Sequence, residues 1–449
     1  MSKVNLTGGG ILGSLFRFSM PMVVVSILQM LFHTADTAVL GILSGDLEVA
    51  AVGACGSLVS MLVCLVTGYA SAANVVISRR IGAGDRRGAR VASGAAIVMG
   101  ILSGLALMVV VLIFSRRFLI MTNCQPEVLD LADLYLKIYF LGMPITMLYN
   151  FVSSILRASG DSMRPMIYMI VSGVFNVALN VLFVGAFGMT VAGVALATVI
   201  SNLIALALSL IALARNNEDC KIERKNLRLR KKELFEMIGI GLPSCLSGLS
   251  FYLGEVVVVS AVNSLGTAAM TANSISSQLD RVNYVVGSSI ASAAGVMISQ
   301  NFGAGYFDRI RKIMIKGALF CGATVMVIGL AVVACSDVLI GIFTDSPSVV
   351  ALTKERLVII SLTNFVTCVC EVFSNSVRAL KRPRTLLVVG VSCGFFVRSA
   401  WTWWIWPHCP TIPFLFLCLP LSTLVGMAIY FYVYKRAMKR EKAALERNE

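Results

Sequence analysis

The chain has 449 residues, 57% of them hydrophobic and 14% charged, with a mean hydropathy of +0.85. This composition excludes a water-soluble domain, and at about 20 apolar residues per crossing the length allows roughly a dozen membrane helices and almost no aqueous domain. A net charge of +15 would suggest nucleic acid in a soluble protein, but here the basic residues lie in short loops between apolar runs, which is a topology signal instead.

Twelve apolar spans are predicted, at about 15–43, 48–78, 90–114, 127–156, 164–186, 190–214, 236–263, 268–300, 309–335, 347–378, 383–407 and 410–436. The residues before them, Met1 to Arg17, carry no small-residue cleavage signature, so the first helix is read as retained. Alternate connections are basic: Arg79 to Arg90, Arg157 to Arg164, Arg215 to Lys232, Arg309 to Lys316, Arg378 to Arg384 and the tail from Lys435 to Arg447. The intervening loops are poor in positive charge, with Arg116 and Arg117 the main exception. The positive-inside rule then puts both termini and the 215–235 linker in the cytoplasm, with a cell membrane as the expected location. The twelve cysteines form no C-x-x-C pair, and His33 and His408 are the only histidines, so neither a disulfide scaffold nor structural zinc is expected.

The two halves repeat. Ile77-Ser78 with Gly82-Ala83-Gly84 returns as Ile298-Ser299 with Gly303-Ala304-Gly305, an offset of 221 residues. Pro126 returns as Pro347 and Arg157-Ala158 as Arg378-Ala379 in the same register, while Pro21 returns as Pro243 one residue out of step. Six crossings per half make this a parallel repeat with its axis along the membrane normal. The expected fold is an all-α membrane protein of twelve transmembrane helices in two pseudo-symmetric six-helix lobes around a central cleft. Residues 1–214 would form the N-terminal lobe, 215–235 a basic cytoplasmic linker, and 236–449 the C-terminal lobe with its basic tail.

Ionisable groups inside hydrocarbon cost about 2.5–3.5 kcal/mol near a helix centre, so each is a functional candidate. In the first span Gln29, His33 and Asp36 have spacings that put them on one helical face. At ~1.5 Å rise per residue, Asp36, Asn180 and Thr198 fall roughly 10, 9 and 12 Å below the outer end of their spans, and Asn176 and His33 roughly 15 Å. A carboxylate, two amides, a hydroxyl and an imidazole would thus cluster in the outer half of the N-terminal lobe. Two chemistries suit that cluster: Asp36 as a proton carrier, or the oxygens of Asp36, Asn176, Asn180 and Thr198 replacing the water shell of Na⁺. Both stay open, as do the bland readings of the amides and Thr198 as interhelical packing and of His33 as a hydrogen-bonded interior residue. In the C-terminal lobe Glu255, Asp280, Arg281, Glu371 and Arg398 lie within spans. They form either internal ion pairs or a negatively biased cavity for cations, walled by methionines and aromatics.

Together the runs F-S-M-P (Phe18–Pro21), A-D-T-A-V-L-G (Ala35–Gly41), L-R-A-S-G-D-S-M-R-P (Leu156–Pro165), N-V-A-L-N (Asn176–Asn180), G-V-A-L-A-T (Gly193–Thr198) and S-Q-N-F-G-A-G (Ser299–Gly305) resemble the multidrug and toxic compound extrusion (MATE) family. The resemblance covers about Gly13 to Lys435 and is nearer the branch named for DNA-damage-inducible members. It implies a secondary antiporter, not an enzyme, that expels amphipathic and often cationic small molecules in exchange for H⁺ or Na⁺ by alternating access. No cofactor, nucleic acid or second subunit is implied; membrane lipid is the surrounding partner, and Na⁺ at Asp36 is the only metal considered. Asp36 matches the family's first-helix acid, Asn176 and Asn180 its fifth-helix polar pair, Thr198 its sixth-helix threonine, and Glu255 the seventh-helix acid of some branches. The departures are Asn180 where aspartate is frequent, His33 where asparagine is common, and Glu371 without an obvious counterpart. The rivals are a lipid-linked precursor flippase, which would want a strongly cationic cavity, and a membrane-embedded lipid-modifying enzyme, which would want a clustered His, Asp or Cys constellation.

Overall fold

A computed structural model of the protein describes residues 3–122, 124–216, 219–221, 226–228 and 230–446. Parts of two sequence expectations, the linker at 217, 218, 222–225 and 229 and the last tail residues 447–449, lie outside the described residues. In chain order the helices are α1 (Ile11–Leu43), α2 (Asp46–Gly82), α3 (Arg86–Met121), α4 (Pro126–Leu141), α5 (Met143–Ala158), α6 (Met163–Asn180), α7 (Thr190–Asn216), α8 (Lys231–Ser264), α9 (Thr267–Gly303), α10 (Phe307–Ala334), the short α11 (Ser336–Gly341), α12 (Pro347–Ala379), α13 (Arg384–Val389), α14 (Ile412–Phe416) and α15 (Cys418–Glu446). Backbone in hydrocarbon must satisfy its own hydrogen bonds, which is why no strand occurs among the described residues.

Eleven spans are long and apolar enough to cross a bilayer, and α4 with α5, bent by 47° at Gly142, brings the total to the twelve expected if that pair is one broken span. Local chemistry sets several boundaries. Pro126 and Pro347 open α4 and α12, where a missing N–H costs nothing. Asp85 caps α3, its Oδ1 accepting from the Gly88 N–H at 2.7 Å. Two spans widen into π-helical turns, Val181–Ala186 directly after α6 and Gly390–Val397 directly after α13.

The chain divides into two contact units: Met1–Val4 with Val24–Cys245, and Asn5–Val23 with Leu246–Glu449. Thus α1 begins in the second unit and ends in the first, and α8 does the reverse. In the first unit, Arg80 pairs with Glu233 and Glu236 at 3.2 and 3.4 Å, and the Cys245 thiol donates to the Leu65 carbonyl at 2.8 Å. In the second, Asn301 donates to the Leu6 carbonyl at 2.9 Å and Phe16 meets Phe320 edge-on at 6.3 Å. Inside the first unit, Asn74 donates to the Ser154 carbonyl while the Ser154 hydroxyl donates to the Ala70 carbonyl, both at 2.8 Å, which locks α2 to α5.

Candidate functional site

Asp36 sits about two turns before the end of α1 and is buried, 6% exposed. It reaches α6 because Gly173 has no side chain: a Cβ there would lie 1.6 Å from the Phe32 ring, one turn below Asp36. The Asn180 amide donates to Asp36 Oδ1 at 2.5 Å and the Thr198 hydroxyl to Oδ2 at 3.3 Å. The same Asn180 amide approaches Asn176 Oδ1 at 3.4 Å, and both asparagines are buried. Ser172 on α6 donates to the Ser201 carbonyl of α7 at 2.7 Å, which holds the two helices in the register the site needs.

Three features bear on what this cluster can do. The hydrogen bonds to Asp36 come only from neutral groups, and no arginine or lysine pairs with it among the described residues. The Asn180 Oδ1 is buried without a hydrogen-bond partner, which leaves an acceptor beside the carboxylate. The Thr198 hydroxyl has one proton for two acceptors, Asp36 Oδ2 and the Val194 carbonyl at 3.0 Å. Turned to Val194, that proton leaves the hydroxyl oxygen free to face Asp36 as an acceptor. The Asp36 and Asn176 oxygens thus gather at the Asn180 amide nitrogen, with the Thr198 hydroxyl on the other carboxylate oxygen.

Gln29 and His33 share the α1 face but are exposed, unlike Asp36. Sequence reasoning missed the stacked pair Tyr135 and Tyr139 on α4, with ring centroids 5.9 Å apart and Asp36 within electrostatic reach. Their signal is an i, i+4 aromatic pair beside a polar site.

In the second unit the acids are individually partnered. Glu255 pairs with the buried Arg398 at 3.5 Å, Glu371 accepts from the Tyr284 hydroxyl at 2.6 Å, and Asp280 accepts from Asn364 at 3.4 Å. Arg281 is exposed. The sequence reading overlooked Arg356, which lies close to the start of its span beside Lys354 and Glu355. It is 4% exposed, donates to Ser276 and Ser277, lies 4.4 Å over the Phe416 ring, and acts electrostatically on Glu255 and Asp280. With Arg356 the in-span charges balance, so the excess of acid inferred from the sequence disappears.

A family model described as MatE matches residues 21–182 and, a second time, residues 243–404. The chain belongs to the MatE family. The second match starts at Pro243, the residue paired with Pro21 in the internal repeat, so the duplication is a property of the family's own unit. Among known proteins this MatE chain is 27% identical over 311 residues to the probable multidrug resistance protein YoeA of Bacillus subtilis, spanning 68% of this chain and 67% of that one. It is 24% identical over 414 residues to the multidrug export protein MepA of Staphylococcus aureus, spanning 92% and 88%. Solved structures of the same fold include a MATE protein in the bent conformation, with TM-score 0.90, 19% identity and 99% of each chain covered. A MOP superfamily transporter from Pyrococcus furiosus aligns with TM-score 0.91 at 19% identity, over 98% of this chain and 99% of that one. The MatE protein is accordingly a multi-pass membrane transporter and not an enzyme. Among the described residues no group of three or more His, Cys, Asp and Glu side chains is placed to hold a metal.

Proposed function

We infer that this MatE protein is a secondary antiporter that exports amphipathic small molecules, lipophilic cations among them, in exchange for H⁺ or Na⁺ by alternating access. The observation that carries this reading is the buried Asp36 carboxylate, whose hydrogen-bond partners among the described residues, Asn180, Thr198 and Asn176, are all neutral, beside the unpartnered Asn180 oxygen. Such a group has a strong demand for a cation, and no arginine or lysine pairs with it among the described residues. Entry of H⁺ or Na⁺ neutralises it, frees the Thr198 proton for Val194 and loosens the tie between α1 and α6. Cargo favours the state in which the site is empty, so the two ligands compete and their movements are opposed. His33 and Gln29, exposed on the same α1 face, are assigned to the ion or cargo path. Asn176 is assigned to holding Asn180. Glu255, Asp280 and Glu371 serve as a charge-balanced polar network of the second unit, and Arg281 is exposed.

The lipid-linked flippase reading gains from Arg356 but is weaker. Arg398 has Glu255 as a direct counter-charge, and Arg356 has the fields of Glu255 and Asp280, so no uncompensated cationic pocket is formed there. The test is efflux of a panel of lipophilic cations from proteoliposomes under an imposed pH or Na⁺ gradient. One gradient alone is expected to drive transport; transport indifferent to both would reject the antiport.

The proposed orientation puts both termini and the basic loops in the cytoplasm of a bacterial cell, with the protein acting as a monomer. Cys335 and Cys409 are exposed in connections on the opposite side. Cys220, on the basic side, is buried, and burial pushes its thiol up to about 12, so below that pH it stays a thiol and not the reactive thiolate. A membrane-impermeant maleimide added to intact cells at neutral pH is expected to label Cys335 and Cys409 and to spare Cys220. Labelling of Cys335 and Cys409 only after permeabilisation would reverse the orientation.

A further inference from the structure

We propose that the cleft between the N-terminal segment and the start of α10 binds the phosphate-bearing headgroup of an anionic phospholipid in the leaflet against the basic face. The cleft, about 760 Å³, lies wholly within the second unit, between Gly9–Ile11 and the turn that begins α10. Arg309, Lys312 and Lys316 follow one another at spacings of three and four, so they line one face of α10, and Lys442 of α15 closes the rim. The single acid lining the cleft among the described residues, Asp308, is already taken by Lys442 at 2.6 Å. Arg309 donates one guanidinium N–H to the Gly8 carbonyl at 2.7 Å, and its Nε is buried without a partner. Among the described residues Lys316 and Lys312 have no ion pair, and the acid one turn before Lys312, Asp308, is already paired with Lys442.

The internal repeat supplies a control within the same chain. In the first unit the equivalent turn, before α3, is covered by the linker: Asp219 pairs with Lys3 at 3.0 Å and with Arg86 at 3.3 Å. The Asn226 carbonyl there packs so closely that a Cβ on Gly94 would meet it at 2.1 Å. Asp219 therefore satisfies Lys3 and Arg86 in the first unit, while among the described residues the one carboxylate lining the cleft of the second, Asp308, is already paired with Lys442. Depth selects the source of the missing anion. Lys316 lies roughly 13 Å along α10 from Phe307, so its stem lies against hydrocarbon and its ammonium must reach the polar boundary of the bilayer. A phosphodiester sits at that level in every anionic phospholipid, and basic pockets between helices on this side of a membrane suit such headgroups. The N-terminal turns of α1 and α10, both lining the cleft, add backbone N–H donors of the same sign.

The test uses the full-length protein purified in detergent and native mass spectrometry with phosphatidylglycerol and with phosphatidylcholine. Phosphatidylglycerol should be retained over phosphatidylcholine, and Lys312→Gln with Lys316→Gln should lower that retention roughly tenfold. Lys312→Arg with Lys316→Arg should restore it. Lys231→Gln with Lys232→Gln removes the same charge from the same face outside the cleft and should leave retention unchanged; an equal loss in that pair would overturn the proposal, as would the absence of any preference for phosphatidylglycerol. Inorganic phosphate is the second arm. If it raises the melting temperature of the wild type but not of the Lys312→Gln, Lys316→Gln protein, and phosphatidylglycerol is not preferred, the lipid source is overturned in favour of soluble phosphate.

Discussion

Replacing Asp36 by asparagine should reduce gradient-driven efflux from proteoliposomes to the level of empty vesicles while leaving the protein folded. The substitution is nearly isosteric, and its amide can still accept from Asn180 and exchange a hydrogen bond with Thr198, whose hydroxyl accepts as well as donates. What disappears is the charge and the ability to take up a proton or balance Na⁺. Coupling between two ligands is typically worth 1–3 kcal/mol, or about 5–150-fold in affinity. Without it an ion gradient has no means to bias cargo movement. Asp36→Glu is expected to be intermediate: it keeps the charge but adds a methylene at a carboxylate that Asn180 holds at 2.5 Å. The measurement is initial efflux rate under an imposed gradient, with melting temperature recorded beside it. Undiminished efflux by a folded Asp36→Asn protein would remove Asp36 from the mechanism.

The largest expected loss of stability comes from a glycine outside the Asp36 cluster. Gly254, in α8, faces the π-helical turn after α13, and a Cβ added there would lie 1.9 Å from the Gly394 carbonyl oxygen and 3.2 Å from the Arg398 side chain. Backbone cannot swing aside as a side chain does, so Gly254→Ala must push the two helices apart or break the turn. It would also disturb the Arg398 pairing with Glu255. Overpacking of this kind costs about 3 kcal/mol. Gly239→Ala, in the same helix, meets nothing within 4 Å and should be neutral. The check is thermal melting and monodisperse yield in detergent. Equal behaviour of the two variants would mean that the α8 contact with Gly394 is looser than described.

Much of the architecture was legible in the sequence because hydrocarbon imposes a single rule, about 20 apolar residues for each crossing. Loop charge and the repeat of Ile77-Ser78 as Ile298-Ser299 needed no structure either. The meeting of Asp36, Asn180 and Thr198 followed from depth arithmetic, since helices of one lobe start from common bilayer levels and rise by the same amount per residue. Depth says nothing about rotation, however, which is why His33 and Asn176 fell at one level in the sequence while the structure leaves His33 exposed and Asn176 buried. The bend at Gly142 was not visible because hydropathy runs unbroken through Leu141-Gly142-Met143. The π-helical turns have no residue signature; they arise where the packing of neighbouring helices demands an extra residue. Arg356 was overlooked because its neighbours Lys354 and Glu355 make the start of α12 look like a polar end, although only Arg356 turns inward to Ser276. The crossing of α1 and α8 between contact units depends on partners far away in the chain, such as Asn301 for Leu6, which no local pattern records.

The most direct test is the affinity of the purified protein for one transported cation, measured by titration across pH and across Na⁺ concentration in the wild type and in Asp36→Asn. In the wild type, cargo affinity should fall as the coupling ion is raised, whether that ion is H⁺ or Na⁺, and in Asp36→Asn the dependence should vanish and leave one constant affinity. An Asp36→Asn protein whose affinity still falls with the same ion, over the same range, would place the coupling elsewhere.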